Sequence, residues 1–184
     1  DPNQAEKADM NVRRNKIVTD SFEPGSTIKP FVIAAGLRNG SILPNTKIDC
    51  ENGRFAIGNR IIRDTHKHEL LSVTEILTFS SNIGAAKIGL QLGDKAVYSI
   101  LHSFGFGSKT GSDFPGESEG ILHPPSWRPH LLSNISFGHG MTATPLQIAN
   151  AYAAIANGGH LNKPSFVKSI TSPSGIVHEF QPQL

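Results

Sequence analysis

The 184 residues suit one domain, or a large part of one, and are enough to bury a core. With 38% hydrophobic and 17% charged residues, 18 glycines and 12 prolines, the composition excludes a disordered chain and fits a folded, turn-rich one. Seventeen basic against fifteen acidic residues leave a net charge of +2 scattered along the chain, which argues against nucleic acid as a partner.

The N-terminus, DPNQAEKADMNVRRNK, is polar and lacks an apolar h-region, and no run of about eighteen apolar residues follows. Neither a membrane span nor an export signal is therefore expected within these residues. Cys50, the single cysteine, has no internal partner for a disulfide and fits a reducing cytosol or an exported protein equally. The abrupt polar start and the ending EFQPQL lead us to expect an excerpt of a longer protein.

Residues 1–20 have no helical or strand periodicity and predict an extended lead-in. After Pro24-Gly25, STIKPFVIAAGLRNG places Ile28, Phe31, Val32, Ala35 and Leu37 near helical spacing. It predicts a helix of about three turns that starts near Ser26, with Pro30 in the first turn, and stops at Asn39-Gly40. Residues 47–64 alternate loosely around two turn signals and predict a small hairpin.

Ser72 with Glu75 forms a predicted capping box, and SVTEILTFSSNIGAAKIGLQLG reads as two helices separated by a polar break at Ser80-Ser81-Asn82. Asp94 is the expected cap of a helix ended by Gly105. Residues 105–140 are dense in glycine and proline and predict loop. Thr144-Pro145 opens a helix closed by Gly158-Gly159, and SFVKSITSPSGIVHEF reads as two short strands joined by a Ser-Gly turn.

The first chemical signal is Ser26-x-x-Lys29. At a helix start, residues three apart lie on one face, so the Ser26 hydroxyl and the Lys29 amine can come within hydrogen-bond reach. A serine hydroxyl needs a base, and a lysine serves as one only when desolvation or nearby positive charge depresses its pKa. Backbone N–H groups of the same first turn are suited to stabilise an oxyanion, so acyl transfer is the matching reaction class. Alone the tetrad is common, and a serine at such a place is more often a plain cap.

The element Ser80-x-Asn82 adds a second hydroxyl, able to pass a proton to a leaving amine, and a carboxamide able to hold a substrate amide or Lys29. The competing reading makes Ser80 or Ser81 the cap of the helix that begins near Asn82. Lys109-Thr110-Gly111 invites comparison with a carboxylate-binding K-T-G strand, but its glycine-rich surroundings, GFGSKTGSDFPGESEG, make turn-forming structure the better reading. His66 and His68 have no cysteine or third histidine at metal-ligand spacing beside them, so a solvated loop is the stronger reading, and His139 sits in another glycine-flanked loop that could approach a cleft; no metal site is expected.

The segments VTDSFEPGSTIKPFVIAAGL, TFSSNIGAAKIGLQLG, FGFGSKTGSDFPGESEG and ISFGHGMTATPLQIANAYAAIANGG carry a family resemblance. In this order they resemble the transpeptidase domain of class B penicillin-binding proteins, notably the division-specific penicillin-binding protein 3 type. The resemblance implies an α+β fold, the helix-rich core of the serine β-lactamase-like transpeptidase architecture. It also implies a D,D-transpeptidase that cross-links peptidoglycan stem peptides, is acylated by β-lactams, and works without metal or cofactor at the periplasmic face of the bacterial inner membrane, beside division-complex membrane proteins. Carried over residue by residue, Ser26 is the nucleophile, Lys29 its base, Ser80 the proton relay and Asn82 the group that positions substrate and Lys29.

The family's K-T-G strand lies beyond the TPLQ helix and is not matched by residues 1–184, and strands expected before Asp1 are also unmatched. Residues 1–184 are thus expected to form a partial transpeptidase domain, short of most of its central antiparallel sheet and weak or inactive alone. Two rivals remain at this point. A serine β-lactamase or penicillin sensor would share Ser26-x-x-Lys29, although Glu117 and Glu119, in a peripheral loop, are poor candidates for a deacylating base. A non-catalytic interaction module of the division complex is the second.

Overall fold

The computed structural model describes residues 2–181. In place of the expected extended lead-in, the N-terminal stretch folds into a 3₁₀ segment, Pro2–Lys7, and two one-turn helices, α1 (Met10–Arg13) and α2 (Lys16–Thr19). Short-range bonds explain the difference. The Arg13 guanidinium donates to the Glu6 and Ala8 carbonyls, and Asn15 caps α2 by accepting from the Ile17 N–H. Val18 anchors the segment; it is fully buried and α2 rests on the last helix of the chain.

A 3₁₀ turn, Gly25–Ile28, leads without a break into α3 (Lys29–Arg38), so the predicted helix is present but its first turn is the tighter form. Pro30 lies in the first turn of α3, where no N–H is needed. The helix is apolar on almost every side: Phe31, Val32, Ile33 and Ala35 are all buried, and α3 sits between α5 and α6 in the centre of the molecule. The Phe31 ring is surrounded by those of Phe104, Phe106 and Tyr152, at 4.8, 5.3 and 5.3 Å between centroids.

The region 47–72 holds two antiparallel pairs rather than one hairpin. β1 (Lys47–Asp49) pairs with β4 (Leu70–Ser72), and between them β2 (Arg54–Ile57) and β3 (Arg60–Arg63) form a hairpin with Arg54 opposite Arg63 and Phe55 opposite Ile62. Gly58 has φ +58° and Asn59 does not share the positive region, the pattern of a type II′ two-residue turn. The Ser72–Glu75 capping box forms as expected and opens α4 (Val73–Thr78).

After the break come α5 (Asn82–Leu92) and α6 (Asp94–Ser103). Gly93, not Asp94, holds the cap position of α6; the Asp94 carboxylate instead accepts from the N–H groups of Lys95 and Trp127, tying the following loop to the helix. That loop contains a further helix, α7 (Pro129–Ser136), where loop was predicted. Pro129 is at its start, so a proline that reads as a breaker works as an initiator, and Leu132 and Ile135 are buried against α5. Gly89 makes this close packing possible: a Cβ there would lie 1.8 Å from Ser136 Oγ.

Helix α8 (Pro145–Ala156) opens with a capping box of Thr144 and Gln147. The Gln147 amide, 1% exposed, also donates to the carbonyls of Gly105, Ser108 and Glu119, pinning the glycine-rich loop to the helix start. The predicted terminal hairpin is present as β5 (Ser169–Ser172) and β6 (Gly175–Glu179). The fold is therefore α+β and helix-rich; among the described residues the strands form only two-stranded antiparallel pairs.

Candidate active site

The 3₁₀ turn before α3 leaves the Ser26 side chain exposed, while Lys29, one turn on, is buried to 1% exposure. Lys29 Nζ donates to Ser26 Oγ at 3.0 Å, to Ser80 Oγ at 2.9 Å, to Asn82 Oδ1 at 2.9 Å and to the Ser80 carbonyl. Ser80 Oγ in turn donates to Ser26 Oγ at 2.9 Å. All four sequence-predicted residues, Ser26, Lys29, Ser80 and Asn82, thus meet in one hydrogen-bonded cluster.

Four oxygens surround an amine with at most three hydrogens, so the cluster satisfies Lys29 fully without a facing carboxylate. Burial pushes the Lys29 ammonium down to about 8, against an opposing pull from the Asp64 carboxylate, which favours the charged form. Such an amine is neutral far more often near neutral pH than a solvated lysine and can then accept a proton. Ser26 Oγ, receiving hydrogen bonds from both Lys29 and Ser80, is held where negative charge on it would be stabilised.

The competing reading of the polar break resolves cleanly. Ser81 is the cap of α5: it is buried and its hydroxyl accepts from the Gly84 N–H at 2.9 Å. Ser80 caps nothing; it stands at φ +55°, a left-handed conformation that costs a non-glycine residue energy and that turns its hydroxyl toward Ser26.

Asp64 was not singled out by the sequence, yet it holds this break in place. Its carboxylate accepts from Ser81 Oγ and the Asn82 N–H, each at 2.6 Å, and from the Ile83 N–H at 3.0 Å. The neighbouring Arg63 carbonyl accepts from Asn82 Nδ2 at 3.0 Å, which fixes the amide with its oxygen toward Lys29. An acidic residue at a strand end was visible in the sequence; that it meets a helix start eighteen positions later was not.

A second missed residue is Gly138. The Gly25 N–H donates to its carbonyl at 2.9 Å, and a Cβ on Gly138 would lie 1.9 Å from the Gly25 oxygen, so nothing larger than glycine fits. Beside it the Glu23 carboxylate accepts from the Gly140 N–H, Phe22 and Ala143 exchange both backbone bonds, and Tyr152 Oη donates to the Thr27 carbonyl. Loop 138–143 and helix α8 thus clamp the segment on either side of Ser26.

Lys109-Thr110-Gly111 lies in loop, as read. The Thr110 hydroxyl and N–H donate to the Glu117 carboxylate, and Ser112 Oγ donates to its other oxygen, so Glu117 is committed to holding that loop. His68 stacks on Phe79 at 4.7 Å, and His139 is carried by the clamp loop with its ring against Phe137.

A family model of the penicillin-binding protein transpeptidase domain matches residues 1–184. The chain is 40% identical over 176 residues to the probable peptidoglycan D,D-transpeptidase PenA of Neisseria meningitidis, covering 95% of this chain and 30% of that protein. It is 33% identical over 174 residues to the peptidoglycan D,D-transpeptidase FtsI of Escherichia coli, covering 94% and 29%. Among solved structures, the TP domain of Burkholderia pseudomallei penicillin-binding protein 3 superposes with a TM-score of 0.82 at 32% identity, over 90% of this chain and 50% of that one. The chain therefore spans about a third of the curated relatives it matches and half of that solved chain.

Proposed function

The chain belongs to the penicillin-binding protein transpeptidase family, and from that premise we propose that it carries the nucleophile half of a serine-type peptidoglycan D,D-transpeptidase. In this reading Ser26 Oγ attacks the carbonyl carbon between the two terminal D-alanines of a stem peptide, and its proton passes to neutral Lys29 Nζ. The Ser26 N–H, at the open start of the helical segment, offers one oxyanion donor. As the C–N bond breaks, Lys29 returns the proton through Ser80 Oγ to the departing amine, and an ester remains on Ser26. The amine of a second stem peptide then attacks that ester, and Ser26 regains its proton.

Asn82 holds Lys29 by its oxygen and the Arg63 carbonyl by one amide hydrogen, which leaves its second amide hydrogen for the peptide. The observation that supports this most is the Lys29 environment: a buried amine, its pKa near 8, within 3.0 Å of an exposed serine hydroxyl. A β-lactam ring offers the same carbonyl to Ser26 and leaves a lasting ester, because the carboxylate one would want for deacylation, Glu117, is tied to Thr110 and Ser112. The resemblance carried by the segments around Ser26, Ser80 and Thr144 supports a further proposal, that the whole protein works at the periplasmic face of the inner membrane, in septal wall synthesis with division-complex partners.

The test is intact mass after incubation with benzylpenicillin, on the 184-residue chain and on the full-length protein that contains it. An adduct mapping to Ser26 in the full-length protein, and a slower or absent one in the chain, is expected. No adduct on Ser26 in either would end the reading. Rapid loss of the adduct would favour a β-lactamase instead.

A further inference from the structure

We infer that the outer face of the β2–β3 hairpin, through Arg54 and Arg63, is a subsite for a carboxylate on an acidic peptide substrate. The inference rests on the transpeptidase reading of the neighbouring site.

The hairpin carries two like charges directly opposite one another, Arg54 across from Arg63. The two-residue turn makes Ile57 and Arg60 a hydrogen-bonded closing pair, and alternation then makes Arg54 and Arg63 a non-hydrogen-bonded pair, in which opposing side chains stand closest. Like charges so placed destabilise a hairpin. Packing offers no return for that cost: both arginines are exposed, and it is Phe55 and Ile62, on the other face, that rest against the core.

Three of the carboxylates nearby are engaged elsewhere. Glu51 is paired with Lys87 at 2.7 Å, Asp49 receives the Glu51 N–H, and Asp64 is filled by Ser81, Asn82 and Ile83. Among the described residues no ion pair involves Arg54 or Arg63. A third exposed cation, Lys67, lies over Gly53, where its Cα would be 3.3 Å from a Cβ on that glycine. The result is a cationic rim that, among the described residues, forms no ion pair.

Its position assigns the use. The Arg63 carbonyl holds Asn82 Nδ2, Asn82 Oδ1 holds Lys29, and Lys29 holds Ser26, so the backbone that carries Arg63 is three hydrogen bonds from Ser26 Oγ. A peptide whose carbonyl lies at Ser26 and whose backbone runs past Asn82 would bring its preceding residues over Arg54 and Arg63. Two guanidinium forks suit a carboxylate there and have no comparable use for its amide.

The test uses the full-length protein carrying Ser26→Ala, so that ligand is bound and not consumed. Two fluorescein-labelled peptides ending in D-Ala-D-Ala are compared by anisotropy, one with a free side carboxylate on the residue two or three places before the scissile bond and one with that group amidated. We expect the free carboxylate to bind about tenfold more tightly, and Arg54→Gln/Arg63→Gln to bring the ratio to about one.

Arg63→Lys should leave an intermediate ratio. Benzylpenicillin acylation of the otherwise native protein carrying Arg54→Gln alone should stay within about twofold of wild type, since that ligand does not reach the rim. A ratio near one in the starting protein, or one that the double substitution leaves unchanged, overturns the inference. So does arginine-dependent binding to anionic lipid vesicles with no peptide preference, which would assign the rim to a membrane surface. Failure of Ser26 to react with benzylpenicillin would instead count against the transpeptidase reading, while the anisotropy ratio still reports on the rim.

Discussion

The starts of α3 and α5 both carry serines beside the site, and they are built in opposite ways. At α5 the free N–H groups are saturated: Ser81 Oγ takes that of Gly84 and the Asp64 carboxylate takes those of Asn82 and Ile83. At α3 no side chain caps the helix; Ile28 occupies the cap position and Ser26 stands outside in a 3₁₀ turn, its hydroxyl exposed and bonded only to Lys29 and Ser80. A serine that caps has its oxygen engaged by the backbone. One relieved of that duty keeps its lone pairs for chemistry, and the difference separates Ser26 and Ser80 from Ser81.

The sharpest way to break this comparison is substitution of each serine in the full-length protein. Ser26→Ala should lower acylation by more than about a thousandfold with little change in melting temperature, as expected of a nucleophile. Ser81→Ala should do the reverse, costing about 1 kcal/mol of stability or somewhat more and leaving the penicillin adduct intact. Loss of the adduct in Ser81→Ala at a temperature where the protein is folded would erase the distinction.

Asp64 joins the two starts, so its removal should move both readouts. Asp64→Ala leaves two N–H groups and a hydroxyl without their acceptor, and we expect a loss of about 3 kcal/mol together with acylation slowed about tenfold or more. Chemical denaturation and labelling kinetics on one preparation would show whether the two effects travel together.

The pH profile sharpens the comparison further. If neutral Lys29 is the base, the acylation rate should rise with pH and level off above about 8. Because the Asp64 carboxylate pulls the Lys29 pKa upward, Asp64→Asn should move that midpoint to lower pH. The same shift has a sign for stability. Lys29 titrates lower in the folded chain than in the unfolded one, so the charged form opposes folding below about 8, and that opposition fades as pH climbs toward 10.5. The smallest effect should come from a cap remote from the chemistry: Ser72→Ala, at the start of α4, should cost about 1 kcal/mol and leave acylation unchanged.

Much of this was legible in local sequence. Ser26, Lys29, Ser80 and Asn82 follow from spacing and from resemblance, the capping box at Ser72 from three residues, the terminal hairpin from alternation. What escaped was set by partners far away in the chain. Asp64 looks like the polar end of a strand until α5 is brought against it, and Gly138 like one more loop glycine until Gly25 approaches. Helix α7 was hidden because Pro129 and the glycines and prolines before it outweigh two buried apolar residues in any local count. The N-terminal helical turns depend on a guanidinium reaching back across them, which periodicity does not register.

The clamp around Gly25 also has a bearing on when the serine becomes reactive. Lys29 reaches Ser80 only after a separation of 51 residues has been closed, and Glu23 reaches Gly140 only after one of 117. Such closures carry an entropy cost that local helix formation cannot offset, so these contacts should form late in folding. Until they do, α3 can exist as a helix while its lysine remains hydrated and fully protonated. On the proposed reading, then, Ser26 becomes a competent nucleophile only when the tertiary structure is complete, and in a partly folded chain it is an ordinary serine hydroxyl.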